Sequence, residues 1–249
     1  MTPHVVADVG NTRIKWGRCA AGALTETCVL SPEDQADWQR QLDRWGLPSP
    51  LHWAVAGVHP QRSGHLLAWL RHRGDSVTEL RTASQLPLRV CLEHPDRAGI
   101  DRLLDGVAAN SRRRAGAPAI LIDAGSAITV DWLDETGAFA GGAILPGPRL
   151  MARALHDYTA LLPAIEPPRQ PPPLPGKATV SAMEAGIFWA VAGGVRALCE
   201  QYAAQVETKP DIFLTGGDGP PLYPVLGPEV QLWSTMTLEG IRLAAEALP

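Results

Sequence analysis

Asp8-Val9-Gly10-Asn11-Thr12-Arg13-Ile14-Lys15 recurs, in worn form, as Asp123-Ala124-Gly125-Ser126-Ala127-Ile128-Thr129-Val130. Each copy follows an apolar run, His4-Val5-Val6-Ala7 in the first and Ala119-Ile120-Leu121-Ile122 in the second. Each leads into another apolar run that ends in a tryptophan, Trp16 or Trp132. The chain therefore reads as one unit built twice: strand, Asp-x-Gly turn, strand. A duplicated acidic turn suggests two half-sites facing one crevice, an arrangement able to hold a nucleotide's phosphates and its metal ion.

The residue types fit that chemistry. An Asp ending a buried strand presents its carboxylate at the rim of a sheet, and the Gly after it permits a sharp turn and close ligand approach. Asn11, Thr12 and Ser126 offer amide, hydroxyl and backbone N–H groups, and successive N–H groups in such a turn form an anion-binding concavity. Mg2+ is usually held by one or two carboxylates plus substrate phosphates. Asp8 and Asp123 could supply them, directly or through a water. Lys15 could reach a phosphate as a point charge, or could belong to a solvated strand face. Either copy alone reads as an ordinary hairpin turn, because Asp, Gly and Asn favour turns for local reasons. Two copies in matching contexts favour a ligand site.

Composition narrows the class. The chain has 249 residues, 45% hydrophobic and 19% charged, a globular, core-forming balance. Its length suits two halves, 1–116 and 117–249. A net charge of -4 and a pI near 6.0 argue against a nucleic-acid binder driven by phosphate neutralisation. The run Arg112-Arg113-Arg114 reads as the cationic close of a helix before Gly116. The four cysteines lie far apart with no CxxC pair, so neither a zinc site nor a disulfide framework is expected, and a reducing cytoplasm is. No signal peptide and no membrane span of about 20 apolar residues is read from the chain. HxxxH, HExxH, GxSxG, GxxxxGK[ST] and GxGxxG spacings are all missing from the sequence, which removes support for zinc, nucleophile-elbow, P-loop and Rossmann chemistry.

Hydrophobic spacing predicts strands over 4–10, 13–18 and 23–30, a helix over 32–45 with Ser31 as N-cap and Pro32 as first residue, a strand over 51–56, a helix over 61–73 and a strand over 77–80. The next helix is expected over 101–114. The second half repeats the meander over 119–124, 127–133 and 138–144. Helices follow over 149–157 and 181–206, then a strand over 211–215 and a closing helix over 237–248. Gly186, Gly193 and Gly194 cost helix propensity, so close packing is expected there. Residues 163–175 carry seven prolines and read as an extended surface loop, a lid edge or part of an oligomer contact.

Three further segments carry candidate chemistry. In Gly99-Ile100-Asp101-Arg102, Asp101 could accept a proton from a hydroxyl and Arg102 could clamp an anion, although the segment alone reads first as a helix N-cap. Gly141-Gly142-Ala143-Ile144-Leu145-Pro146-Gly147 reads either as a strand open to close approach or as a plain strand-to-helix turn. Thr215-Gly216-Gly217-Asp218 follows a strand and could line an adenosine pocket.

Taken in order, the Asp8–Lys15 turn, Gly99–Arg102, Asp123–Asp131 and Gly141–Gly147 resemble the landmarks of type III pantothenate kinase, a family of the acetate and sugar kinase/Hsp70/actin superfamily. The resemblance spans nearly the whole chain. It implies an α/β fold of two duplicated ribonuclease-H-like, actin-like ATPase domains, each a mixed sheet flanked by helices. It implies ATP-dependent phosphorylation of pantothenate, the first step of coenzyme A synthesis, in a cytoplasmic homodimer without nucleic-acid or membrane partners. Asp8, Val9, Gly10, Asn11, Thr12, Arg13, Ile14 and Lys15 would carry the ATP phosphates, Asp8 would hold Mg2+ directly or through a water, and Ser126 would touch ATP. Asp101 would be the catalytic proton acceptor. Leu92, Gly99, Ile100, Asp101, Arg102 and Thr179 would line the pantothenate site. Asp123 would bind a monovalent cation, K+ or NH4+.

Two positions depart from the family pattern. Leu92 stands where Tyr is common, which removes a hydrogen bond or stacking surface for substrate. Ser126 stands where Thr is usual and keeps the hydroxyl. Leu92 also favours a rival of another class, a non-catalytic nucleotide-binding regulatory or accessory protein of the same fold. A third reading is a kinase or phosphatase of the superfamily with another substrate.

Overall fold

The computed structural model describes residues 2–248 and divides them into two compact units, residues 2–112 with 235–248, and residues 113–234. The first unit is built on a five-stranded mixed sheet of β1 (Val5–Val9), β2 (Ile14–Ala20), β3 (Ala23–Leu30), β4 (His52–Gly57) and β5 (Ser76–Leu80), in the order β3-β2-β1-β4-β5. β1, β2 and β3 form an antiparallel meander, and β4 and β5 add in parallel beside β1. The second unit repeats this plan with β6 (Ala119–Ala124), β7 (Ala127–Leu133), β8 (Phe139–Pro146), β9 (Asp211–Thr215) and β10 (Val230–Leu232), in the order β10-β9-β6-β7-β8. Its meander is again antiparallel and its last two strands again parallel. The duplication read from the two Asp-x-Gly turns is thus a duplication of topology.

Alternation along β1 sorts side chains to two faces. Val5, Ala7 and Val9, with Ile14 and Trp16 of β2, pack beneath α1 (Gln35–Trp45) and α2 (Pro60–His72), which add Trp38, Leu42, Leu66, Leu67 and Leu70. Trp16 sits at the centre, 4.9 Å from the Trp53 ring in edge contact. Asp8 therefore leaves the sheet on the opposite face, where α7 (Met236–Ala247) packs on the strands and against α3 (Ile100–Asn110). Thr237 of α7 donates a buried 2.8 Å hydrogen bond to Asp105 of α3. That pairing explains why the closing helix belongs with the first unit, whereas a division at 116/117 assigns it to the second.

In the second unit, Ile120, Ile122, Ala124, Ile128, Val130, Ile212 and Leu214 form one sheet face, covered by α5 (Thr179–Ala203) and α6 (Gly219–Leu226). Asp123, Thr129 and Thr215 belong to the other face by the same alternation. α4 (Pro148–Asp157) follows β8.

Several element boundaries differ from the sequence reading. α1 starts at Gln35 with Asp34 as its cap, accepting from the Asp37 N–H at 3.0 Å, because the Ser31 carbonyl is taken by Trp38 Nε1. α3 stops at Asn110, so the arginines do not close it. Arg113 instead donates to the Ala117 and Glu135 carbonyls, and Arg114 pairs with Asp211 at 2.8 Å. α6 and β10 were unread, the first obscured by Pro220, Pro221 and Pro224, the second only three residues long. Of the α5 glycines, Gly194 meets Leu145, but Gly186 and Gly193 face open space. α5 is also long and apolar enough, by length and composition, to cross a membrane, contrary to the sequence reading. Met183, Ile187, Phe188, Val191 and Val195 are buried in the unit's core, so it is built as a core helix. Residues 163–175 contain neither strand nor helix, as their prolines require.

Candidate functional site

The first unit gathers its chemistry at Asp8. The turn closes through Gly10 N–H to the Arg13 carbonyl at 3.1 Å, leaving Asn11, Thr12 and Arg13 exposed. Val9 and Ile14 are fully buried, so they can offer a ligand only their backbone. Asp8 and Lys15 are direct partners across β1 and β2. Burial raises the Asp8 carboxyl to about 6; the Lys15 ammonium opposes that rise and the Asp101 carboxylate adds to it. Burial also raises Asp101, against the Arg102 backbone N–H and the Arg102 and Lys15 charges. Asp8, Lys15, Asp101 and Arg102 thus form one coupled electrostatic group, at the end of β1 and the first turn of α3.

Asp101 is not the cap of its helix. Gly99 is the cap residue, with no side-chain bond, and Asp101 sits in the first turn with Oδ1 accepting from the Arg102 N–H at 2.9 Å. The carboxylate folds back over Gly99, where a Cβ would lie 2.5 Å from Oδ1. Glycine at 99 is what lets the acid take this pose. Leu92 is partly buried in the irregular segment between β5 and α3.

The second unit builds its half from three segments. Gly125 N–H bonds the Ala127 carbonyl at 3.1 Å to close the β6–β7 turn, with Ser126 exposed at its tip. Gly147, where β8 runs into α4, donates to the Ser126 carbonyl at 3.2 Å, and Asp218 N–H after β9 donates to the Ala124 carbonyl at 2.8 Å. Gly216 has φ +92°, and a Cβ there would collide with the Asp123 Oδ1 and Ala124 O atoms. Gly147 therefore seats against the Gly125–Ser126 backbone, and Gly216 against Asp123. Gly141 and Gly142 do not: they pair with Trp132 and Asp131 well along β7. Thr179 is exposed as the first residue of α5.

The two turns differ by one residue. In the first, Val9 pairs with Ile14 and Asp8 with Lys15. In the second, Ala124 pairs with Ile128 and Asp123 with Thr129. The ungapped alignment of the repeat sets Val130 against Lys15, but the ladder puts Thr129 there. Sequence reading missed Thr129 for this reason, and it set Thr215 at an adenosine pocket rather than beside Asp123, its partner across the β6–β9 ladder.

The donors fit the expected ions. Asp8 is a desolvated carboxylate whose ionised form is penalised, which suits a hard divalent cation such as Mg2+. Asp123 stands among hydroxyl and carbonyl oxygens, which suits a cation of lower charge. Among the described residues no cluster of three or more His, Cys, Asp or Glu could hold a metal.

Comparison with known proteins shows the family. A family model described as type III pantothenate kinase matches residues 4–201. A type III pantothenate kinase of Gluconobacter oxydans (strain 621H) is 38% identical over 258 residues, covering 97% of this chain and 92% of that protein. One from Synechococcus sp. (strain JA-2-3B'a(2-13)) is 34% identical, covering 95% and 86%. In fold, the chain is similar to component A of the (R)-2-hydroxyglutaryl-CoA dehydratase of Acidaminococcus fermentans, with a TM-score of 0.54 at 15% identity over 100% of this chain and 98% of that one.

Proposed function

The chain belongs to the type III pantothenate kinase family and phosphorylates pantothenate with ATP as donor, and from that premise we propose how its own residues divide the work. Asp101 accepts the proton of the pantothenate hydroxyl as that oxygen attacks the γ-phosphoryl group. The supporting observation is the pose of Asp101, held by the Arg102 N–H over Gly99, with a carboxyl raised above its ordinary value by burial. A raised pKa makes a carboxylate a stronger proton acceptor. Arg102 holds the substrate carboxylate or the developing phosphoryl charge.

The Asp8–Lys15 turn cradles the ATP phosphates, with exposed Asn11, Thr12 and Arg13 as donors and Lys15 as the fixed cation. Ser126 offers its hydroxyl to ATP, and Thr179 its hydroxyl to pantothenate. Asp8 holds Mg2+, directly or through a water, and Asp123 holds K+ or NH4+. When bound, these ions neutralise triphosphate charge, and catalysis then rests mostly on positioning. The four cysteines are free thiols, which suits a cytoplasmic setting. The accessory-protein reading is not favoured, since the relatives are kinases.

A homodimer is supported by apolar side chains left open on the second unit: Ile144 at 65% exposure, Tyr158 at 88%, Leu161 at 91% and Leu174 at 64%. Light scattering of the purified protein tests it: a mass of one chain at micromolar concentration excludes the dimer.

Asp101→Asn tests the assignment of the base. Turnover is expected to fall by about 10²–10⁴-fold with folding and ATP binding kept. Turnover near that of the unaltered protein removes Asp101 from the proton transfer.

A further inference from the structure

We infer that the hydroxyl of Thr215 is a ligand of the monovalent cation at Asp123, the middle member of an oxygen row Thr129–Asp123–Thr215. The inference rests on the proposed cation site and names two oxygens that nothing else assigns to it.

The register carries the argument. Asp123 of β6 is paired with Thr129 of β7 on one side and with Thr215 of β9 on the other. Residues paired across neighbouring strands project to the same face, about 4.8 Å apart. A carboxylate is thus flanked on both sides by hydroxyls. The first unit has the same three places filled differently, as Lys15–Asp8–Ala56. There the strand opposite the acid supplies a covalently held cation; in the second unit it supplies a neutral oxygen.

Thr215 gives the independent evidence. It is 0% exposed, and its Oγ1 has no hydrogen-bond partner among the described residues. A buried hydroxyl left unsatisfied costs about 1–3 kcal/mol, so such groups normally meet an acceptor, a water or an ion. The neighbouring Gly216 shows where the space lies. A Cβ there would collide with Asp123 Oδ1, so the carboxylate leans over the end of β9, beside Thr215. One carboxylate with neutral oxygens suits a singly charged ion, because ligand charge sets which cations a site prefers.

The test is thermal unfolding of the full-length protein titrated with KCl against NaCl at constant ionic strength, without nucleotide and with saturating ADP. The variants are Thr215→Val, of matching shape, and Thr215→Ser, which keeps the hydroxyl. Without K+, Thr215→Val is expected to melt at or above the unaltered protein, since it removes an unsatisfied buried group. Its half-saturating K+ is expected to rise about 10- to 100-fold, a usual loss for an altered metal environment. Thr215→Ser is expected to stay within about threefold of the unaltered protein, well short of that loss. Equal K+ response in Thr215→Val overturns the role of Thr215 while leaving the Asp123 site standing. No K+ response in the unaltered protein, with or without ADP, overturns the site and the inference together.

Discussion

Lys15 stands directly opposite Asp8 across the β1–β2 ladder, and its charge opposes the burial-driven rise of both Asp8 and Asp101. One cation thus keeps two acids usable. Lys15→Met should let both carboxyls rise further. Because the base must be ionised to work, the acid limb of the kcat/KM profile should move to higher pH, by about one unit. An unmoved limb would separate Lys15 from both acids.

Asp8 sets stability against function. Its folded carboxyl titrates near 6, above the ordinary 3.8, so the folded state holds the proton more tightly than the unfolded state. Its contribution is therefore neutral below about 3.8, falls as pH rises to about 6, and stays unfavourable above that. Asp8→Asn should raise the stability of the ligand-free protein at pH 7, on the order of 2–3 kcal/mol, by removing that penalty. The same change should abolish Mg-ATP turnover. Denaturant unfolding at pH 7 and at pH 4 checks the sign: the gain should shrink at the lower pH.

Gly99→Ala isolates the pose of Asp101. The Gly99 backbone, φ −59° and ψ 129°, suits alanine, so folding should persist. The added Cβ would sit 2.5 Å from Asp101 Oδ1 and displace the carboxylate. kcat should fall at least about tenfold, since small misplacements of a base are costly. Kinetics at saturating pantothenate read this directly, and an unchanged kcat would show that the pose does not matter.

Leu92→Tyr restores the hydroxyl-bearing ring common in the family. With the chemistry untouched, KM for pantothenate should fall about 3- to 10-fold at constant kcat, the effect of one added hydrogen bond. A KM that stays or rises would place residue 92 outside the substrate site.

Much of this was legible in the sequence because the signals were local. Asp8-Val9-Gly10 and Asp123-Ala124-Gly125 announced strand ends and turns, and apolar alternation located their strands. The paired fold followed from the repeat of those units. What stayed hidden was long-range. The one-residue shortening of the second turn changes which residue faces Asp123, and only the β6–β7 ladder reveals Thr129 there. Thr215 lies 92 positions after Asp123 and becomes its neighbour through the parallel β6–β9 pair. The docking of α7 in the first unit rests on long-range packing against α3, which includes the Thr237–Asp105 bond between partners 132 residues apart. Helix ends failed where a competing contact won, as when Asp34 displaced Ser31 at α1 and Asp211 drew Arg114 away from α3.

The most direct test of the account is ADP release by the purified protein with Mg-ATP, measured with and without pantothenate in K+ and in Na+ buffer. Release is expected to require pantothenate and to be faster in K+. ATP binding without any pantothenate-dependent release in either buffer would contradict it.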